Sequence, residues 1–404
     1  MSKGVGVRAR FATFAVRLVN LASKVTKRGS GTVAGGRMGL LIDPHLLRTL
    51  SRNKRVVLVS GTNGKTTTTA LLRAGIGTDV ISNTTGANML AGHVAAFAAA
   101  PKEFGTAVLE VDEAWLARTA EETSPRALVL LNLSRDQLDR VSEVRQIAQR
   151  WRSMCAELDA MCVVVANADD PLVVWAALEA KNVVWVSVAH QWNLDSASCP
   201  VCTLPLTFEG EHWFCSCGFK KPEPDIRLHD QQIEIGESTY PLALSIPGSF
   251  NASNATLAVG ALRALDVQPD VSLSRMNAVH DVAGRFSERM WQGRRITLAL
   301  AKNPAGFMAM LSTLDAGESF VAIGINDEVA DGRDPSWLYD VPFEILQGKT
   351  VYCFGSRSLD LATRLDYAGV SFTLNEADWP TSTTVPLIAN YTSFRSVLEG
   401  SDNV

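Results

Sequence analysis

Gly61, Thr62, Asn63, Gly64, Lys65, Thr66 and Thr67 form the run GTNGKTT, which directly follows the apolar stretch VVLVS at 56–60. Glycines at 61 and 64 let the backbone approach an anion closely, so that successive N–H groups face a phosphate. Lys65 brings positive charge to the β and γ oxygens, and Thr66 offers a hydroxyl to Mg2+. The helix that starts near Thr66 directs its positive end at the same point. The G-x-x-G-K-T-T spacing is shorter than the ordinary P-loop and narrows the range of nucleotide binders. A loop that merely turns a strand into a helix is the competing reading, and the strand–turn–helix context disfavours it.

Other candidates follow strand-like runs. Glu110, at the end of an apolar run that begins at Ala107, suits Mg2+, a hard cation that prefers oxygen ligands; Asp112 and Glu113 are close alternatives. Asn132, Asp136 and Asp139 follow the next run, and Asn167, Asp169 and Asp170 the one after, where capping and turn roles compete with catalysis. Cys199-x2-Cys202 and Cys215-x-Cys217 read as a four-thiolate structural zinc ribbon, with His212 as an alternative ligand because the second pair is tightly spaced. Farther along, Asp327, Glu328, Asp331, Asp334 and Asp340 crowd into INDEVADGRDPSWLYD. Solvation accounts for Asp327 and Glu328, whereas Trp337 and Tyr339 suggest that the remainder is anchored as a functional surface.

These residues need a scaffold, and the apolar pattern supplies one. Runs at 56–60, 106–112, 127–133, 162–168 and 182–188 alternate with helical stretches, which predicts a parallel sheet covered on both faces with its functional loops at the carboxyl ends of the strands. The pattern breaks at about 196–224. A second α/β series has runs at 296–301, 320–325, 350–355 and 385–390. The expected organisation is a basic helical segment over 1–40, a nucleotide domain over 41–290 with the ribbon inserted, and a smaller α/β domain over 291–404.

The net charge of −4 gives no reason to expect nucleic acid as the main partner, and no apolar run is long enough to span a membrane. Seven cysteines in this arrangement fit a reducing, cytoplasmic compartment. Lys3, Arg8, Arg10, Arg17, Lys24, Lys27 and Arg28 precede the first acid, Asp43, and are interleaved with Phe11, Phe14, Val16, Leu18, Val19 and Leu21. Such a helix suits the inner face of the plasma membrane as a peripheral contact. It equally suits docking on the nucleotide domain with a solvated basic face.

GTNGKTTTT, NLSRDQLDR, NADDP, the cysteine ribbon, PGSFNASN, GRFSER, AKNPAG and NDEVADGRDPSWLYD occur in one order, and in that order they resemble the Mur ligase superfamily, specifically its MurT-like branch. The resemblance implies a central P-loop ATPase domain and ATP-dependent amidation of the D-glutamate α-carboxylate of lipid II through an acyl phosphate. It implies ATP and Mg2+ at Lys65, Thr66 and Glu110, adenine contacts from Asn251 and Asn254, an interdomain arginine at Arg285, and Lys302 in a loop that closes over the nucleotide. Gln137 stands where other Mur ligases carry a metal-binding histidine, and neither Lys102 nor Lys181 matches their carbamylated lysine.

Ammonia needs a separate source. Cys155, Cys162 and Cys353 lie in apolar runs and lack the context of a glutaminase nucleophile. The resemblance implies a GatD-type glutamine amidotransferase subunit, with Asp340 as the acid completing that partner's Cys-His-Asp triad and Asp331 and Asp334 as runners-up. Two other readings remain: a stand-alone Mur-like amino-acid ligase and a non-catalytic ATP-binding scaffold.

Overall fold

The computed structural model describes residues 6–25, 32–84, 86–135, 141–188, 196–282, 287–315, 317–380 and 383–403. Arg285, Asp136, Gln137 and Asp139 lie outside the described residues. The chain divides into two compact units, one comprising 1–133, 143–244 and 252–278, the other 134–142, 245–251 and 279–404.

The first unit is built on nine strands: β1 (Arg55–Ser60), β2 (Val80–Ile81), β3 (Thr106–Glu110), β4 (Ala127–Leu130), β5 (Val163–Asn167), β6 (Val183–Ser187) and, beyond the ribbon hairpin β7 (Thr207–Glu209) and β8 (His212–Phe214), the meander β9 (Ile226–His229), β10 (Gln232–Ile235) and β11 (Ser238–Pro241). Their order in the sheet is β11-β10-β9-β6-β5-β4-β1-β3-β2. Pairing is parallel from β2 to β9, and the meander adds an antiparallel edge. The β1 side chains from Val56 to Val59 are wholly buried, as covering layers on both faces require. Each such side chain contributes roughly 1.5–3 kcal/mol on burial.

β1 lies between β3 and β4, so the chain leaves it toward one side of the sheet and later continues on the other. The crevice at its carboxyl end is the topological switch point where open α/β sheets bind ligands. The ribbon is an insertion between neighbouring strands, because β9 pairs directly with β6 through Val186 and Ile226.

Helices α1 (Val7–Val25), α2 (Thr32–Ile42), α3 (Leu46–Ser51), α4 (Lys65–Ile76) and α5 (Leu90–Ala99) cover part of this sheet. α1 packs into the unit rather than standing as a separate segment. Its small residues Ala9, Ala12 and Val16 join a core that includes Leu46, Leu47 and Val94. The bulkier Phe11, Phe14, Leu18 and Leu21 are exposed. Of the two readings that the sequence left open, docking holds for one side of α1, but the opposite side is largely apolar rather than a solvated basic face. Among the described residues, no helix is long and apolar enough to cross a membrane.

The second unit carries β12 (Ser287–Trp291), β13 (Arg294–Leu300), β14 (Phe320–Gly324), β15 (Thr350–Phe354), β16 (Ser371–Thr373), β17 (Val385–Ala389) and β18 (Ser401–Asn403) in the order β16-β15-β14-β17-β13-β12-β18. The five strands from β16 to β13 run parallel; β12 and β18 add antiparallel pairings. Because β12 forms a hairpin with β13, this unit takes in chain ahead of the expected start at 291. Buried Phe307, Trp337 and Phe343 fill the space on one face, with Phe307 5.3 Å from Trp337 and 6.2 Å from Phe343 between ring centroids.

Candidate active site

The turn after β1 is held open by glycine and fixed by asparagine. Gly64 has φ 88°, and a Cβ there would meet Asn254 Oδ1 at 2.4 Å; at Gly61, φ 151°, a Cβ would meet Leu131 Cβ at 2.7 Å. Asn132 copies a strand partner: its Oδ1 accepts from the Asn63 N–H at 2.9 Å, its Nδ2 donates to the Asn63 carbonyl at 3.1 Å, and its own carbonyl accepts from the Thr62 N–H at 3.0 Å. The turn is therefore pre-shaped before any anion arrives. α4 begins at Lys65, placing a helix N-terminus behind the turn.

Lys65 is buried, and its Nζ donates to the carbonyls of Gly61 at 2.5 Å and Thr62 at 3.2 Å and to Glu113 Oε2 at 3.1 Å. Glu113, an alternative Mg2+ ligand in the sequence reading, is thus engaged by the lysine in this structure. Glu110 lies opposite Val59 in the β1–β3 register. Two side chains clamp its main chain. Asn83 Oδ1 accepts the Glu110 N–H at 3.0 Å, while Asn83 Nδ2 and His93 Nε2 contact its carbonyl at 2.8 and 2.9 Å. No described residue hydrogen-bonds the Glu110 carboxylate, which leaves an acceptor beside the turn for a hard cation.

His93 was not singled out from the sequence; a histidine among alanines in α5 gives little signal of its role. Burial drives its pKa down to about 4, against the weaker opposing effect of the Glu110 carbonyl. The imidazole is neutral, so the nitrogen facing that carbonyl carries the proton. A histidine with an unfolded pKa of about 6.5 and a folded value near 4 costs no stability above pH 6.5, and destabilises the fold as pH falls toward 4 because the unfolded chain protonates first. Urea unfolding of wild type and His93→Gln should therefore diverge between pH 7 and pH 4, with wild type losing up to about 3 kcal/mol more than the variant. Parallel pH profiles would reject this assignment.

The acids after β5 are structural. Asp170 caps the helix Pro171–Ala177 through the N–H groups of Leu172 and Val173 and also accepts from the Leu133 N–H at 2.7 Å. Asp169 accepts from Ser187 Oγ and the Val188 N–H, and pairs with the buried Lys221 ammonium at 2.6 Å. Lys221 and Trp213, whose Nε1 donates to the Ala168 carbonyl at 3.0 Å, anchor the ribbon to these strand ends.

In the ribbon, the Sγ atoms of Cys199, Cys202, Cys215 and Cys217 all lie within 4.8 Å of one another, with Cys199 to Cys217 at 3.7 Å and Cys202 to Cys215 at 3.4 Å. Tetrahedral zinc with Zn–S of about 2.3 Å requires sulfurs about 3.8 Å apart, whereas a disulfide needs about 2.05 Å. The donor set fits zinc. His212 is outside the cluster, so its role as an alternative ligand is not retained. The Cys217 backbone N–H draws the Cys215 thiol down to about 7. By contrast, burial pushes the thiols of Cys155, Cys162 and Cys353 up to about 12, as suits inert core residues.

Asn254 abuts Gly64 within the first unit. Asn251, Lys302 and the acidic segment belong to the second. Asn251 Nδ2 donates to the Pro247 carbonyl at 2.6 Å, and Lys302 follows β13 immediately before Asn303, which caps the helix Pro304–Leu311. Asp331 is buried with both oxygens engaged by Thr392, one accepting its N–H at 2.9 Å and the other its hydroxyl. Asp334 caps Pro335–Asp340, and the bonds from Ser336 hold its carboxyl below the usual range. Asp327 is bonded by Ser356 and Arg357 rather than merely solvated, and Ser356 is the larger cause of its lowered pKa. Asp340 differs: its Oδ2 is buried without a hydrogen-bond donor among the described residues, and Arg135, in the same unit, is 3.7 Å away.

Comparison with known proteins places this geometry. Residues 59–262 match the Mur ligase middle domain, and residues 300–394 match the MurT ligase C-terminal domain. A Staphylococcus aureus (strain COL) protein, lipid II isoglutaminyl synthase (glutamine-hydrolyzing) subunit MurT, is 31% identical over 95% of this chain and 96% of its own length. The fold is shared with a pseudomurein peptide ligase type C from Methanothermus fervidus, at TM-score 0.67 and 20% identity over 86% of this chain and 78% of that one. MurF ligase from Thermotoga maritima, solved in complex with ADP, aligns at TM-score 0.61 and 17% identity over 88% of this chain and 81% of its own.

Proposed function

The chain belongs to the Mur ligases, and within them to the MurT family, and from that premise we propose that it uses ATP to convert the α-carboxylate of the D-glutamate in the lipid II stem peptide into an acyl phosphate, which ammonia then converts to D-isoglutamine. The observation that carries the reading is the pairing of a pre-shaped anion turn, with Lys65 at its centre, and an uncommitted Glu110 carboxylate at the end of the adjacent strand.

The carboxylate oxygen attacks the γ-phosphorus, the bond from that phosphorus to the β,γ-bridging oxygen breaks, and ADP leaves. Ammonia then adds to the acyl carbon, which expels phosphate and loses a proton. Lys65 would exchange its Glu113 and carbonyl partners for phosphate oxygens. Such transfers depend mainly on positioning and on neutralising charge. Thr66 and Glu110 would hold Mg2+, which supplies further neutralisation when bound. Asn251, Asn254, Arg285 and Lys302 are proposed nucleotide contacts. The relatives' name, a subunit of a glutamine-hydrolysing synthase, supports a partner that releases ammonia from glutamine. We assign that role to a GatD-type subunit, with Asp340 orienting its histidine.

The test is amidation by the purified two-subunit complex with ATP, Mg2+, lipid II and glutamine or ammonium. Mass spectrometry should find a carboxamide in place of the D-glutamate α-carboxyl, with ADP formed in equal amount. ATP binding without amidation under either nitrogen source would favour a scaffold.

For the ribbon we propose structural zinc. Metal analysis is expected to find one zinc ion per wild-type chain, and Cys199→Ser should retain less than about a tenth of it after dialysis against a chelator. Equal zinc in both would remove the ribbon as its site.

A further inference from the structure

We propose that the outward face of α1 is a docking surface for an anionic lipid bilayer. The inference goes beyond the proposed chemistry, although a lipid-borne substrate would give it a purpose.

α1 has two apolar faces back to back. Its inner face is made of Ala9, Ala12 and Val16, and it packs so tightly on α2 that a Cβ at Gly39 would meet Val16 Cγ2 at 2.5 Å. At about 100° per residue, Val7, Phe11, Phe14, Leu18 and Leu21 form a second stripe centred roughly 180° away. Phe11 and Phe14 are each 62% exposed, Leu21 is 61% and Leu18 55%. The inner contacts fix the helix, so rotation cannot hide this stripe. A contiguous apolar patch of this kind marks an interaction surface.

Charge selects the occupant. Arg10 and Arg17 fall along one border of the stripe and Arg8 along the other, and none of the three pairs with a carboxylate among the described residues. Arg8 Nε donates to the Ile42 carbonyl at 2.5 Å and Arg17 Nε to the Ala98 carbonyl at 2.6 Å, which fixes the two guanidinium groups at the C-terminal ends of α2 and α5 on the flanks of α1. Residues 1–42 contain eight Lys and Arg and no Asp or Glu; with a total of −4, the remainder carries −12. This separation attracts α1 to an anionic surface while repelling the body of the chain, and so sets orientation. Two copies meeting through this face would bring like charges together. Bulky apolar side chains bordered by arginines are the pattern of a helix lying in a headgroup layer. A cavity of about 610 Å3 lined by Arg17 and Leu21 also reaches Asn83, whose side chain clamps the Glu110 main chain.

The test is cosedimentation of the full chain with phosphatidylglycerol-rich vesicles and with phosphatidylcholine vesicles, alongside the double variant Phe11→Glu, Phe14→Glu. Wild type should bind the anionic vesicles at least about tenfold better than the zwitterionic ones, and the variant should lose at least about tenfold in anionic-vesicle binding. Both substitutions are at exposed positions; circular dichroism and ATP binding should match wild type, which separates lost docking from lost folding. Equal vesicle binding by variant and wild type, or no wild-type binding to either vesicle, would overturn the proposal. A wild-type dimer that dissociates in the variant would instead assign the face to a second copy. None of these readouts requires amidation, so failure of the catalytic reading would leave the vesicle result standing.

Discussion

Lys65→Ala should reduce ATP-dependent amidation by at least about 10^3-fold with either glutamine or ammonium, equivalent to roughly 4 kcal/mol of lost transition-state stabilisation. The lysine sits in the anion turn, bonded to two carbonyls and Glu113, so its loss removes the charge that phosphoryl transfer requires. Alanine also leaves the Glu113 carboxylate without its partner next to incoming phosphates, adding repulsion to the lost attraction. The measurement is ADP release by the complex with lipid II and ammonium. Activity within tenfold of wild type would remove Lys65 from the chemistry.

The second large effect should depend on nitrogen source. Asp340→Asn is expected to lower glutamine-driven amidation by about 10^2–10^4-fold, because an amide cannot stabilise a histidinium as a carboxylate does. Ammonium-driven amidation should stay at the wild-type level. Asp340 is chosen on its match to the family motif; among the described residues its Oδ2 has no hydrogen-bond donor and only Arg135 at 3.7 Å as an ion-pair partner, whereas Thr392 occupies both oxygens of Asp331 and Ser336 engages Asp334. Asp331→Asn would disturb the packing at Thr392 and should affect both nitrogen sources alike. Equal rates on glutamine for Asp340→Asn and wild type would reject the triad role; a parallel loss with ammonium would make Asp340 a structural residue.

The long parallel strands were legible because they are continuous β-branched runs, and the nucleotide turn because its glycines, lysine and threonine each meet a chemical requirement. The four converging thiols were legible from residue type, but the tight Cys215–Cys217 pair required three-dimensional information to exclude His212. Short edge strands escaped notice: β2 has two residues, and the polar strands β9 to β11 carry little periodicity. His93 was invisible for a different reason. Its role depends on a carbonyl seventeen residues away across the fold. Which face of α1 docks was not legible, because alanine faces weigh little against phenylalanine on any hydropathy scale, yet close helix packing favours the smaller side chain.

The ribbon's position gives the proposed zinc site a consequence for how the protein would fail under metal starvation. The chain leaves the sheet after β6 and returns beside it as β9, so the ribbon closes the loop that carries the meander back to the sheet edge. Stripping its thiols would loosen that closure, together with the Trp213 and Lys221 attachments, while the Asn132 clamp on the nucleotide turn lies on the other side of β5 and keeps its own bonds. Damage would begin as fraying at one margin, reporting zinc scarcity or thiol oxidation before ATP affinity falls.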